Sequence, residues 1–330
     1  MILRPSTLAL LLISLLVTGF SLTAGFHAMG IHDRWDPASG SEEQLELERK
    51  TYLISTIMNY VFPLELLSLI LLLYTADELH PLFTGAMCAA GTLAVNPYGY
   101  PALLVKIVTA LLAGVWLIMN HLDSRAFDYP LIRTKYLFLT LMMPLLVVEC
   151  VLLFSYFSGI KPDIITSCCG SLFSHDSPTL SGDLISLPPV IMQALFFSAM
   201  ALALLSGILF YRTGRYGQLF SALAAVTFPV SIASIISFIG LYIYELPSHH
   251  CPFCLLQKEY HFIGYFLYVP LFIGAVSGIS AGVISPFSAN PSLRRIVPDT
   301  RRYLTLVTII CYLLFTLIAT VEMIISPLKL

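Results

Sequence analysis

The chain has 330 residues, of which 58% are hydrophobic and only 11% charged, and its mean hydropathy is +0.86. A soluble domain carries about 25% charged residues, so an ordinary water-soluble enzyme and a disordered chain are excluded. With Lys+Arg 17 against Asp+Glu 19 the net charge is −2, which leaves no basic face for a nucleic acid.

Crossing a hydrocarbon core takes about 20 mostly apolar residues. Such runs fall at about 7–26, 52–74, 101–120, 136–158, 188–210, 218–244, 260–284 and 303–327. They predict an all-α, polytopic integral membrane protein of about eight transmembrane helices in a lipid bilayer, because a barrel would show short alternating strands. Turn-rich segments such as Asn96-Pro97-Tyr98-Gly99 and Leu187-Pro188-Pro189 separate the spans. No extramembrane stretch is long enough for a separate domain. We therefore read 1–330 as one membrane domain: spans 1–3 in 1–131, spans 4–7 in 132–285, and a cytoplasmic linker with the last span in 286–330.

Twelve of the 17 Lys and Arg residues lie in the linkers after spans 1, 3, 5 and 7. Positive residues stay on the cytoplasmic side, so both termini face outside. Met1–Gly25 also resembles a signal peptide, with Arg4 ahead of an apolar run, and its removal would reverse that parity. The linker at 27–51 mixes its three positive residues with several acids.

Glu65, Lys106, Glu149 and Glu322 lie within spans, where a charge costs a few kcal/mol. Glu65 and Glu149 are near mid-span, so they either handle protons or make a polar contact between helices. Lys106 is close enough to the end of span 3 for snorkelling to explain it. Asp77, Glu78 and His80 read as a solvated helix end.

There are seven cysteines, too few for a disulfide scaffold in so long a chain. Cys150 and Cys311 fall within spans and read as small buried hydrophobes. Cys88, in an apolar segment too short to span, reads as packing or as a fifth redox thiol. On the parity above it shares the outer side with Cys168, Cys169, Cys251 and Cys254, and an oxidising compartment there favours disulfide chemistry. Cys251-Pro252-Phe253-Cys254 meets the start of span 7. At a helix N-terminus the first sulfur would face unpaired N–H groups and the positive dipole end, which favour the thiolate. Helical spacing would then carry Cys254, Lys258, His261 and Tyr265 along one stripe.

The run Cys251-Pro252-Phe253-Cys254-Leu255-Leu256-Gln257-Lys258 resembles the Cys-Pro-x-Cys-x-x-Gln-Arg signature of the DsbB disulfide-bond oxidases. That resemblance implies a Cys-x-x-Cys passing electrons to a membrane quinone, with Lys258, beside Gln257, at the quinone site. On the stripe above, His261 would either hydrogen-bond a quinone carbonyl or be a satisfied interface histidine. Lys258 stands where the family usually has arginine; it keeps the charge but lacks the planar fork. The order of spans 4–7, with Cys168-Cys169 in an outer loop ahead of the Cys-x-x-Cys, resembles the four-helix core of the vitamin K epoxide reductase family. Together the two resemblances imply a membrane thiol–disulfide oxidoreductase. A soluble thioredoxin-like partner would exchange electrons through Cys168 and Cys169, which pass to or from Cys251 and Cys254 and the quinone. The setting implied is a bacterial inner membrane with the cysteine loops facing the periplasm.

Two other readings stay open. Cys168, Cys169, Cys251 and Cys254, with His249, His250 and His175 nearby in sequence, also suit a soft metal such as Zn, Cu(I) or Hg(II) in a binding or transport protein. Alternatively the chain is a quinone-contacting anchor of an electron-transfer complex, stapled by structural disulfides. No histidine pair compels haem, and no resident metal is expected on the redox reading.

Overall fold

The computed structural model describes residues 2–36, 39–161, 165–166 and 188–329. Among these the regular structure is helical, with no strand. The long helices are α1 (Pro5–Arg34), α2 (Glu42–Leu79), α4 (Gly99–Asp123), α5 (Ile132–Ser158), α6 (Pro189–Thr213), α7 (Gly217–Ser234), α9 (Ile263–Ile284) and α10 (Ile296–Ile325). Two are short, α3 (Ala89–Leu93) and α8 (Gly240–Tyr244), the latter continuing α7 through a π turn at Ile235–Ile239. Among the described residues, eight helical segments are long and apolar enough to cross a membrane, as the hydropathy predicts. This is an all-α polytopic membrane protein.

The acid-rich stretch after span 1 is more helical than the sequence reading allowed. Ser41 Oγ accepts the Gln44 N–H at 3.3 Å, and Glu42 and Glu43 occupy the first turn. Side-chain capping and acids at the positive dipole end start α2 ten residues before its apolar run.

Residues fall into two compact units. Unit 1 comprises Met1–Thr75, Asn96–Lys161 and Phe287–Val297; unit 2 comprises Ala76–Val95, Pro162–Pro286 and Pro298–Leu330. Span 4, grouped above with spans 5–7, belongs to unit 1.

Lipid tails are as apolar as leucine, so helices in a bilayer associate through close packing and hydrogen bonds. In unit 1, α1 lies along α5, and one buried cluster joins Ala28 of α1 and Tyr136 of α5 to Met58 and Phe62 of α2 and Trp116 of α4. Phe62 meets Trp116 edge-on at 5.0 Å, and the Trp116 indole donates to Lys135 O at 3.2 Å. Asp123 and Lys135 form a buried ion pair at 2.6 Å, with Asn120 and Ser55 filling the remaining sites of the ammonium.

In unit 2, Gly274, Gly278 and Gly282 space one face of α9 at every fourth residue. A Cβ at Gly278 would sit 2.6 Å from Ala224 Cβ, and one at Gly282 would sit 2.2 Å from Ser221 Cβ. Only glycine lets α7 and α9 approach this closely. Ser221 Oγ then donates to Ile279 O at 3.0 Å and Tyr312 OH to Ala224 O at 2.7 Å.

Candidate functional site

Unit 2 gathers three cysteines. The Sγ atoms of Cys88, Cys251 and Cys254 all lie within 4.8 Å of one another, and Cys88 Sγ is 3.5 Å from Cys251 Sγ. The three are thiols, not joined in a disulfide, and their residues are 0%, 1% and 5% exposed. A disulfide bond is about 2.05 Å long, so closing Cys88 onto Cys251 needs the sulfurs to approach by only about 1.5 Å.

The π turn in span 6 positions the motif. A π turn offsets the backbone ladder by one residue and leaves carbonyls for other donors. Ile236 O, within that turn, lies 2.9 Å from His250 Nδ1. A carbonyl only accepts, so Nδ1 carries the hydrogen and His250 is anchored one residue before Cys251. The next two carbonyls are held by tyrosines: Tyr244 OH donates to Cys251 O, and Tyr268 OH donates to Pro252 O at 2.6 Å.

Beyond Cys254 the expected helical stripe does not form. Cys254–Leu256 is a single 3-10 turn, Gln257 is extended, Lys258–Tyr260 is a second 3-10 turn, and α9 begins only at Ile263. The cause is local. Gln257 Nε2 donates to Asp77 Oδ1 at 3.0 Å and to Met87 O at 3.2 Å, which holds Gln257 out of a helix. His261 and Phe262 then adopt left-handed backbone, φ 54° and 56°, uncommon for residues with a Cβ. Neither Cys residue therefore caps the span-7 helix. Gly264 lets this turn pack on the start of α9, since a Cβ there would lie 2.9 Å from Leu255 O.

The residues singled out from the sequence thus separate. Cys251 and Cys254 come together; Gln257 faces Asp77 and Met87 rather than an open site; the Lys258 side chain is 80% exposed, its nearest acid Glu259 at 3.9 Å. His261 lines an open cleft of about 500 Å³ with Tyr244, Tyr260, Phe266 and the acids Glu245, Glu259 and Glu322. His249 stacks edge-on against Tyr244 at 4.4 Å. Cys168, Cys169 and His175 lie outside the described residues.

Cys88, read from the sequence as packing or as a fifth redox thiol, lies in the cluster beside Cys251. Its segment is tied down on two sides, by Gln257 at Met87 O and by Thr166, whose N–H donates to Thr84 O at 2.9 Å. Gly85 makes the second contact possible: its φ is +94°, and a Cβ there would meet Thr166 O at 2.2 Å. No family model, curated protein or solved structure matches the chain.

Proposed function

We propose that the protein is a membrane thiol–disulfide oxidoreductase in which Cys251 and Cys254 are the pair oxidised by a quinone and Cys88 is the thiol that exchanges with them. The observation carrying this reading is the 3.5 Å approach of Cys88 Sγ to Cys251 Sγ, with Cys254 in the same cluster.

In the exchange step the Cys88 thiolate attacks Cys251 Sγ of a Cys251–Cys254 disulfide. A Cys88–Cys251 bond forms, the Cys251–Cys254 bond breaks, and Cys254 leaves as a thiolate. One thiol of the external dithiol then attacks Cys88 Sγ and releases Cys251 as a thiolate, and its second thiol displaces Cys88, so that the dithiol leaves as a disulfide and Cys88, Cys251 and Cys254 are thiols. In the quinone step Cys251 and Cys254 close their disulfide, losing two electrons and two protons, and the quinone becomes a quinol. Burial of all three sulfurs supports the reading, because a buried relay is shielded from adventitious thiols. Thr166, bonded beside Gly85, is two positions from Cys168 in sequence, which supports Cys168 and Cys169 as the route from a thioredoxin-like dithiol on the outer, periplasmic side of a bacterial inner membrane.

For the quinone we favour the cleft holding Tyr244, Tyr260, Phe266 and His261 over the surface around Lys258. Its size is that of a ligand pocket, its rings can stack on a quinone, and Tyr244 also bonds Cys251 O. Thiol trapping of Cys254→Ser protein after treatment with a mild chemical oxidant, which takes up the two electrons, tests whether Cys88 and Cys251 can join. The expected product is a Cys88–Cys251 disulfide mapped by mass; a Cys251 thiol that never pairs with Cys88 would sink the relay.

One observation favours a second reading. Three thiolates around a metal at about 2.3 Å lie about 4 Å apart, close to the spacing of this cluster. A buried three-sulfur set suits a soft ion such as Cu(I) or Hg(II). Metal content of protein purified under reducing conditions, before and after oxidation by quinone, separates the two.

A further inference from the structure

A second buried polar cluster lies in unit 1, independent of the thiols. Lys106 Nζ bonds Glu65 Oε2 at 2.7 Å and Glu149 Oε1 at 2.6 Å, joining α4 to α2 and α5 within the membrane-spanning helices. The lysine and both glutamates are buried to 1% exposure or less. The second oxygens of both carboxyls converge on one hydroxyl: Thr109 Oγ1 is 3.0 Å from Glu65 Oε1 and in hydrogen-bond contact with Glu149 Oε2.

Counting hydrogens makes the cluster unusual. Thr109 Oγ1 also lies 3.1 Å from the Val105 and Lys106 carbonyls, so four oxygens surround a hydroxyl that owns one hydrogen. It cannot donate to both carboxyls. With both acids ionised, at least one contact would set lone pair against lone pair, and the cluster would bury a net negative charge with no cation besides Lys106 bonded to it among the described residues. A proton on one carboxyl removes both problems, since that acid donates to Thr109 and the charges balance. The neighbouring pair in the same unit shows the contrast: Lys135 has one acid, Asp123, and its other partners are the neutral Asn120 and Ser55.

We propose that Glu65, Lys106, Thr109 and Glu149 form a membrane-embedded proton site that holds one proton between its two carboxyls at neutral pH. The two carboxyls share it: Ser68 Oγ gives its one hydrogen to Glu65 O at 2.7 Å and stays 3.5 Å from Glu65 Oε2, so it does not single out either acid. The proton moves without rearrangement of heavy atoms: Glu149 gives its hydrogen to Thr109 Oγ1 as Thr109 gives its own to Glu65 Oε1. The titratable groups meeting Glu149 are Glu65 from α2 and Lys106 from α4, with Cys150 adjacent on α5. α1, also packed on α5, has no acid, base, tyrosine or cysteine from 5 to 26.

The test is infrared spectroscopy of the full chain in lipid nanodiscs at neutral pH. A carboxylic-acid carbonyl band should be present in the wild type and lost in both Glu149→Gln and Glu65→Gln, because each variant leaves one acid for one ammonium. Thr109→Val keeps all three charged residues and should shift the band by removing its partner. Absence of the band in the wild type, its survival in both Gln variants, or an unmoved band in Thr109→Val would each overturn the proposal.

Discussion

Cys88 and Cys251 are 163 residues apart in sequence, yet their sulfurs lie 3.5 Å from each other in unit 2. Cys251 is held by His250, which bonds the π turn, and by Tyr244, while Gln257 of the same loop ties down Met87 beside Cys88. Two sulfurs at this distance can join in a disulfide with little backbone movement.

The first prediction concerns the division of labour among the sulfurs. Cys88→Ser should stop electron transfer from an external dithiol while leaving the Cys251–Cys254 disulfide able to form with quinone. Cys251→Ser and Cys254→Ser should each abolish quinone reduction. Quinol formation with and without external dithiol reads both outcomes.

Gln257 is a positioning residue in this account. Gln257→Ala removes two hydrogen bonds, each worth about 0.5–1.5 kcal/mol, and frees Met87. Cys88–Cys251 bond formation in a Cys254→Ser background, driven by a mild chemical oxidant, should slow by about tenfold, since 1.4 kcal/mol is a factor of ten. Rescue by Gln257→Asn is not expected, because the shorter side chain cannot span Asp77 and Met87 together. An unchanged rate would remove Gln257 from the site.

Lys258 and His261 part company despite lying three residues apart. Lys258→Ala should leave quinone KM within about twofold, a change of about 0.4 kcal/mol, because its side chain is exposed. His261→Ala and Tyr260→Ala, in the cleft, should raise KM without preventing dithiol oxidation by a chemical oxidant.

Removing Lys106 should be the most damaging single change in unit 1. Breaking a buried charge network by deleting one partner costs about 3–5 kcal/mol, so Lys106→Met should lower the thermal midpoint in detergent sharply. Glu149→Gln, isosteric with the protonated acid, should be nearly neutral. Equal destabilisation by the two would contradict the charge balance described above.

Gly85→Ala should destabilise by about 1 kcal/mol or more, because a residue with a Cβ is strained at positive φ and the added carbon would meet Thr166 O. Thermal midpoint together with the yield of Cys88–Cys251 disulfide checks this.

Hydropathy was sufficient for the eight spans, because a bilayer demands long apolar runs whatever their partners. The Cys-x-x-Cys was legible as a motif, and Glu65, Lys106 and Glu149 as charges in a costly place. Their partnership was not, since it depends on which faces of α2, α4 and α5 meet. Lys106 looked able to snorkel and instead sits buried between two acids. Cys88 was open as packing or as a fifth redox thiol, and its place beside Cys251 was not legible for the same reason, since no local spacing links the two. The helical stripe from Cys254 to Tyr265 failed because one side chain, Gln257, bonds across to Asp77 and Met87 and fixes an extended residue. Gly274, Gly278 and Gly282 were a readable sign of close helix packing that the composition alone did not bring forward.

The central claim is tested most directly by mass mapping of trapped thiols on membranes holding the wild-type chain, after a mild dithiol and again after quinone. The account predicts that Cys251 and Cys254 become thiols with the dithiol and re-form their disulfide with quinone, one quinol appearing per disulfide. Thiols indifferent to quinone, in a protein holding stoichiometric metal on Cys88, Cys251 and Cys254, would contradict it.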